Sequence, residues 1–201
     1  MHDPFRVVRD FEGAVCEYTG ARYCVSVSSC TSALLLSVAW YVKRHAVDLV
    51  EIPRRTYVSV PMSIIHAGAR PVFRDEPWTG AYQLKPLPVW DSARRFTSGM
   101  YIRGQMQCTS HHWSKILGLQ QGGCILHDDP DADAWLRRAR FDGRTEGVAP
   151  KDDNFTQIGW HCYLSPEIAA LGLVRLKLLP RHNADLPNDD YPELDKLPIF
   201  A

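Results

Sequence analysis

The chain has 201 residues, 45% of them apolar in the broad count and 23% charged, which suits one soluble globular domain large enough to bury a sizeable core. Lys plus Arg number 23 and Asp plus Glu number 23, a balance that argues against nucleic acid or an anionic membrane as the bulk partner. The longest nearly apolar run, Ser32 to Val42, falls well short of the roughly 20 residues a membrane-spanning helix needs. The opening MHDPFRVVRDFEG has neither an apolar core nor a small-residue cleavage site, so no secretory signal is expected there. Six irregularly spaced Cys are too sparse for a disulfide scaffold, and a reducing, cytoplasmic setting is the default expectation.

Short β-branched runs alternate with helical patterns along the chain. Tyr23 to Ser28 reads as a buried strand and Thr31 to Arg44 as a mostly buried helix, with Ser29 as its N-cap and Lys43 and Arg44 in its last turn. Asp48 to Ile52 and Pro71 to Arg74 read as strands flanking a helix from Tyr57 to Ala67 that Gly68 ends. Pro88 to Asp91, Gln105 to Thr109 and Gly123 to His127 follow as short strands. Asp129 to Arg140 is a well-signed helix, with Pro130 and two acids at its positive end and three arginines at its negative end. Ser165-Pro166-Glu167 opens another that runs to about Leu179. From Pro180 onward four prolines and several acids predict an extended arm. The alternation predicts an α/β fold: a mostly parallel sheet flanked by helices, with ligands at the carboxyl ends of the strands.

Four segments carry candidate chemistry. Ser28-Ser29-Cys30-Thr31-Ser32-Ala33 is a hydroxyl-rich turn between a strand and a helix; it is an ordinary N-cap or an anion site built from orphan amides and hydroxyls. Asp91, in Val89-Trp90-Asp91-Ser92-Ala93-Arg94, is a helix N-cap or an acid that pairs with a protonated ring nitrogen. Lys115 follows Cys108-Thr109-Ser110-His111-His112-Trp113-Ser114 and precedes Gly118 and the Gly122-Gly123 pair. It is a solvated lysine or a desolvated one with a lowered pKa and a nucleophilic amine. Tyr57, in Arg55-Thr56-Tyr57, is a core tyrosine or a ring face laid over a planar ligand.

Taken in order, these segments resemble the DegT/DnrJ/EryC1/StrS family, the sugar aminotransferases of fold type I. The matching stretches are FEGAVCEYTGARYCVSVSSCTSALLLSVA, EIPRRTYVSVPMSIIHAGARPVFRD, VWDSARRF, SHHWSKILGLQQGGCILHDD and IGWHCYLSPEIAALGL. The resemblance implies a three-layer, mostly parallel core over residues 1–180 with an extended C-terminal arm over 181–201. It implies that Lys115 holds pyridoxal 5′-phosphate as an internal aldimine and that Asp91 pairs with the pyridine nitrogen. It implies that Tyr57 stacks on the ring and that Thr31 and Ser110 bind the phosphate beside the Cys30 and Ser32 amides. A dehydratase branch of the family replaces the lysine with histidine, so the retained Lys115 points to transamination of a keto sugar, nucleotide-linked, with an amino donor. Family members are homodimers with shared active sites, so a dimer is expected.

Several positions depart from the family pattern. Cys30 replaces a glycine beside the phosphate, Arg94 replaces a Gln or His near the ring hydroxyl, and His161 replaces an asparagine that reaches the neighbouring subunit's phosphate. Fifteen residues separate Asp75 from Asp91 where the family inserts at least a further helix and strand, and the C-terminal small domain is expected to be absent. That expectation keeps a second reading open, a non-catalytic or structural homologue that binds the cofactor without turnover. A metal site at Cys108, His111 and His112 lacks a second ligand pair. Cys30 at a helix start favours a thiolate, but no base can be assigned to it.

Overall fold

The computed structural model describes residues 3–188 and 191–200; Met1 and His2, and Asp189, Asp190 and Ala201 of the predicted arm, lie outside the described residues. The chain opens with a helix that the sequence reading did not assign, α1 (Arg6–Thr19). Val8, Phe11 and Val15, spaced three and four apart, make its buried stripe, and Gly20 ends it in the left-handed conformation at φ 83°. There follow β1 (Tyr23–Val27), α2 (Cys30–His45), β2 (Leu49–Pro53), α3 (Ser59–His66), β3 (Arg70–Arg74), β4 (Tyr82–Leu84), β5 (Val89–Asp91), β6 (Met106–Ser110), β7 (Gly123–His127), α4 (Pro130–Ala139) and α5 (Pro166–Leu178). The predicted caps are present: Ser29 accepts from the Ser32 amide and Ser165 from that of Ile168. Asp129, read as the first residue of its helix, is instead its cap and accepts from the Asp131 and Ala132 amides.

The main sheet runs β1-β7-β6-β5-β4, and β2 and β3 form a parallel pair beside it. A bridge between Glu51 and Lys85 joins the two into one surface. The expectation of a mostly parallel sheet needs correcting at the level of pairing. Ladders β1·β7, β6·β7 and β4·β5 are antiparallel, and only β5·β6 and β2·β3 are parallel. Taken by direction, β1, β2, β3, β5 and β6 still run the same way, with β4 and β7 reversed. The reason lies in the connections. A parallel return needs a crossover of a dozen or more residues, usually a helix. A four-residue turn over 85–88 joins β4 to β5, and the helix-free loop over 111–122 joins β6 to β7.

Alternating side chains along the strands feed two cores, which makes three layers. Val25, Val27, Cys108 and Ile125 pack with α2, α3 and α4, whereas Cys24, Cys124 and Leu126 pack with α1 and α5. Gly172 lets α5 close on α1, since a Cβ there would lie 2.5 Å from the Phe11 ring. The described part of the arm lies along the body. Asp185 binds Arg95 at 2.9 and 2.6 Å, the Leu186 and Leu194 amides donate to the Arg94 and Arg54 carbonyls, and Leu194 is buried.

One glycine decides how the loops meet. A Cβ on Gly123, at the start of β7, would sit 2.7 Å from both the Cys30 nitrogen and the Thr109 oxygen, and backbone atoms cannot swing aside. Gly123→Ala is therefore expected to cost about 1–3 kcal/mol of stability. A thermal melt checks this, and an unchanged midpoint would contradict the close approach.

Candidate active site

The carboxyl ends of β1, β5 and β6 open on one cavity of about 340 Å³, within the roughly 300–1,000 Å³ range of small-molecule sites. Cys30, Thr31, Tyr57, Asp91, Arg94, Ser110 and Lys115, expected from sequence, all line it. Residues far apart in sequence meet there because the strands that precede them point the same way.

The first wall is the start of α2. The leading amides of a helix have no intrahelical partners and carry its positive end, so Cys30 and Thr31 present an anion-binding edge. Thr31 Oγ1 lies 2.7 Å from Ser59 Oγ, which brings in a second hydroxyl that the sequence reading did not select. Ser32 behaves differently. Its amide is taken by the Ser29 cap at 3.1 Å and its hydroxyl by Ser28 and Ser29, so it supports the turn and does not line the cavity. Cys30 is a thiol and not the thiolate its helix position suggests, because burial, reinforced by Asp91, pushes its pKa well up.

Asp91 ends β5 at 4% exposure. Its Oδ1 accepts the Ala93 amide at 2.9 Å and its Oδ2 the Tyr82 hydroxyl at 2.8 Å, and Tyr82 OH lies 2.6 Å from Thr56 Oγ1. Burial raises the Asp91 pKa; the two hydrogen bonds and the charges of Lys115 and Arg94 pull it back. A carboxylate oxygen can accept more than one hydrogen bond, so both retain capacity toward the cavity.

Lys115 stands on the loop between β6 and β7. Buried His111, Leu117 and Leu119 pin that loop from below, and His111 is wedged edge-on between Phe11 and Phe96. Burial holds the His111 pKa down at about 4, so it is a neutral core residue. Cys108 faces the opposite core, so the Cys108, His111 and His112 set is dispersed. The Lys115 amide donates to the His112 carbonyl at 2.8 Å, while its Nζ makes no hydrogen bond or ion pair among the described residues. Burial, then the nearby Arg94 charge, lowers the Lys115 pKa; Asp91 and Cys30 oppose the shift. A half-buried amine with depressed basicity is the form in which lysine attacks a carbonyl.

The outer wall joins the expected Arg94 and Tyr57 to Trp78 and Tyr191, which the sequence does not single out. Arg94 donates from Nε to the Tyr191 hydroxyl at 3.0 Å and lies over its ring at 4.8 Å. Trp78 stacks on Tyr191 at 6.1 Å and Tyr57 meets it edge-on at 6.5 Å. No local pattern in the Pro-rich arm announces this contact. His161 stands apart: its side chain is 70% exposed, and its Nδ1 lies 2.7 Å from Asp142.

Comparison with known proteins bears on this arrangement. Residues 4–88 match the DegT/DnrJ/EryC1/StrS aminotransferase family. Over 95 residues the chain is 32% identical to a dTDP-3-amino-3,6-dideoxy-alpha-D-galactopyranose transaminase of Aneurinibacillus thermoaerophilus, a match over 47% of this chain and 26% of that protein. It is 37% identical over 68 residues to the spore coat polysaccharide biosynthesis protein SpsC of Bacillus subtilis strain 168, covering 34% of this chain and 17% of SpsC. Among solved structures, the sugar aminotransferase CalS13 from Micromonospora echinospora superposes with a TM-score of 0.73 at 20% identity, over 86% of this chain and 60% of that one. A DegT DnrJ EryC1 StrS aminotransferase from Brucella abortus gives 0.71 at 20% identity, over 86% and 58%. The fold is thus that of the DegT-type aminotransferases, and the matches span 26% and 17% of the curated relatives and about 60% of the solved chains.

The depressed basicity of Lys115 has a direct consequence. Labelling with an amine-selective acylating reagent at a series of pH values, followed by peptide mapping, should give Lys115 a midpoint below the ordinary lysine value of 10.5. A midpoint at or above 10.5 would mean that the amine is fully solvated.

Proposed function

We propose that the chain is the cofactor-binding core of a pyridoxal 5′-phosphate-dependent aminotransferase that passes an amino group to a keto sugar, nucleotide-linked. The observation that carries this reading is the convergence in one cavity of an unbonded, half-buried lysine amine, a buried carboxylate and a hydroxyl-lined helix start. The side chains suit the group in kind. Cys30, Thr31, Ser59 and Ser110 offer amides and hydroxyls for a phosphate, Asp91 keeps acceptor capacity for a protonated ring nitrogen, and Tyr57 offers an aromatic face.

Pyridoxal phosphate, when bound, supplies an electron sink that stabilises negative charge at the amino-bearing carbon. The protein's own groups do the rest. Lys115 would hold the cofactor at Nζ and would take and return a proton at that nitrogen. Asp91 would hold positive charge on the ring nitrogen, while Thr31 and Ser110 would fix the phosphate end. Arg94, Trp78 and Tyr191 narrow the mouth and exclude water. Residues 1–180 serve as the core and 181–201 as the arm that covers the site. His161, facing outward, is assigned to the phosphate of a neighbouring copy in a homodimer with shared sites, and the six free cysteines suit a reducing, cytoplasmic setting.

Mixing the purified chain with pyridoxal phosphate should give a visible absorbance that Lys115→Ala abolishes. Asp91→Ala should weaken binding by about 10- to 100-fold, the worth of one charge-assisted hydrogen bond, and stop turnover. A chain that stays colourless with the cofactor contradicts the proposal. A panel of amino acids then separates turnover from mere binding, since an aminotransferase converts the bound cofactor to its pyridoxamine form and a non-catalytic homologue leaves it unchanged.

A further inference from the structure

Asp91 is buried among groups that do not all favour its charge. The Cys30 thiol on α2, the Cys108 thiol on β6 and the Tyr191 hydroxyl on the arm face it, together with Lys115, Arg94 and Tyr82. The amide of Ala93 reaches Oδ1 within the same turn, a contact that any non-proline residue at 93 could make. Tyr82 is the side chain that hydrogen-bonds the carboxylate, and the fold makes that contact obligatory. In the antiparallel β4·β5 ladder Tyr82 is the direct partner of Asp91, and directly opposed residues share a face of the sheet.

The direction of the hydrogen-bond chain follows from counting protons. A carboxylate only accepts, so the single Tyr82 hydroxyl hydrogen goes to Asp91 Oδ2. The Thr56 hydroxyl must then donate to Tyr82 across their 2.6 Å contact. Thr56, Tyr82 and Asp91 are 1%, 4% and 4% exposed, so water has little access to replace a lost donor. We propose that Tyr82 is a positioning residue that keeps Asp91 ionised and aimed into the cavity, with Thr56 fixing the Tyr82 hydroxyl. This rests on the reading of Asp91 as the partner of the cofactor's ring nitrogen.

Tyr82→Phe keeps the ring and removes the donor. In the cofactor-free protein the Asp91 pKa should rise further above its ordinary 3.8. A raised carboxyl pKa contributes stability that is full below the unfolded value and lost as pH rises through the folded one. The stability deficit of Y82F against wild type should therefore widen as pH rises above the ordinary carboxyl value of 3.8, whereas a packing role alone leaves it constant. In the loaded protein, Y82F should weaken pyridoxal phosphate binding by about three- to tenfold, read from the visible titration. Thr56→Val leaves Tyr82 in place and should move both readouts the same way by less, which keeps the test usable if Y82F does not fold. A pH-independent deficit or an unchanged cofactor affinity overturns the proposal. A wild-type chain that takes up no cofactor overturns the functional reading, while the cofactor-free stability curves still report the coupling of Tyr82 to Asp91.

Discussion

Strand β7, running backwards between β1 and β6, is the constraint on which the site depends. Because it is reversed, its first residue lies at the end of the sheet where β1 and β6 finish, and Gly123 there lets three backbones approach at distances no Cβ would permit. The start of α2 and the loop carrying Lys115 are thereby held against each other by main chain, not by mobile side chains. β5 pairs in parallel with β6 and delivers Asp91 to the same edge. An anion-binding helix start, an amine and an acid thus share one cavity through sheet topology, as expected for ligand sites at the carboxyl ends of α/β strands.

Within that frame the electrostatics are balanced by burial. Desolvation opposes charge on Lys115 and on Asp91, and each charge favours the other. The outcome is an amine less basic than usual facing a carboxylate held by two hydrogen bonds, a pairing suited to covalent chemistry with an aldehyde. The arm completes the enclosure. Asp185 with Arg95, and Glu193 with Arg55, fasten it on either side of Tyr191, so an aromatic wall stands at the mouth.

Much of this was legible in the sequence because local signals agreed with the fold. Ser29 and Ser165 announce their helices through cap chemistry that the structure contains, and Pro130 with the acids after it announces α4. Lys115, Asp91 and Thr31 were legible through resemblance, since spacing alone does not separate them from a solvated lysine and two caps. Helix α1 carries a readable stripe in Val8, Phe11 and Val15. Strand β4 was not readable, because three residues between Gly80 and Pro86 are too few to show a period, and Tyr82 went unnoticed with it. Tyr191 and Ser59 enter the cavity through tertiary contacts that no local pattern encodes. The parallel expectation erred where a four-residue turn and a helix-free loop turn the chain back, at β4 and β7.

The most direct measurement is chemical trapping. Borohydride reduction of the chain loaded with pyridoxal phosphate, followed by peptide mass spectrometry, should place a single phosphopyridoxyl group on Lys115. A label spread over exposed lysines such as Lys151 and Lys196, or none at all, would contradict a built site around that amine.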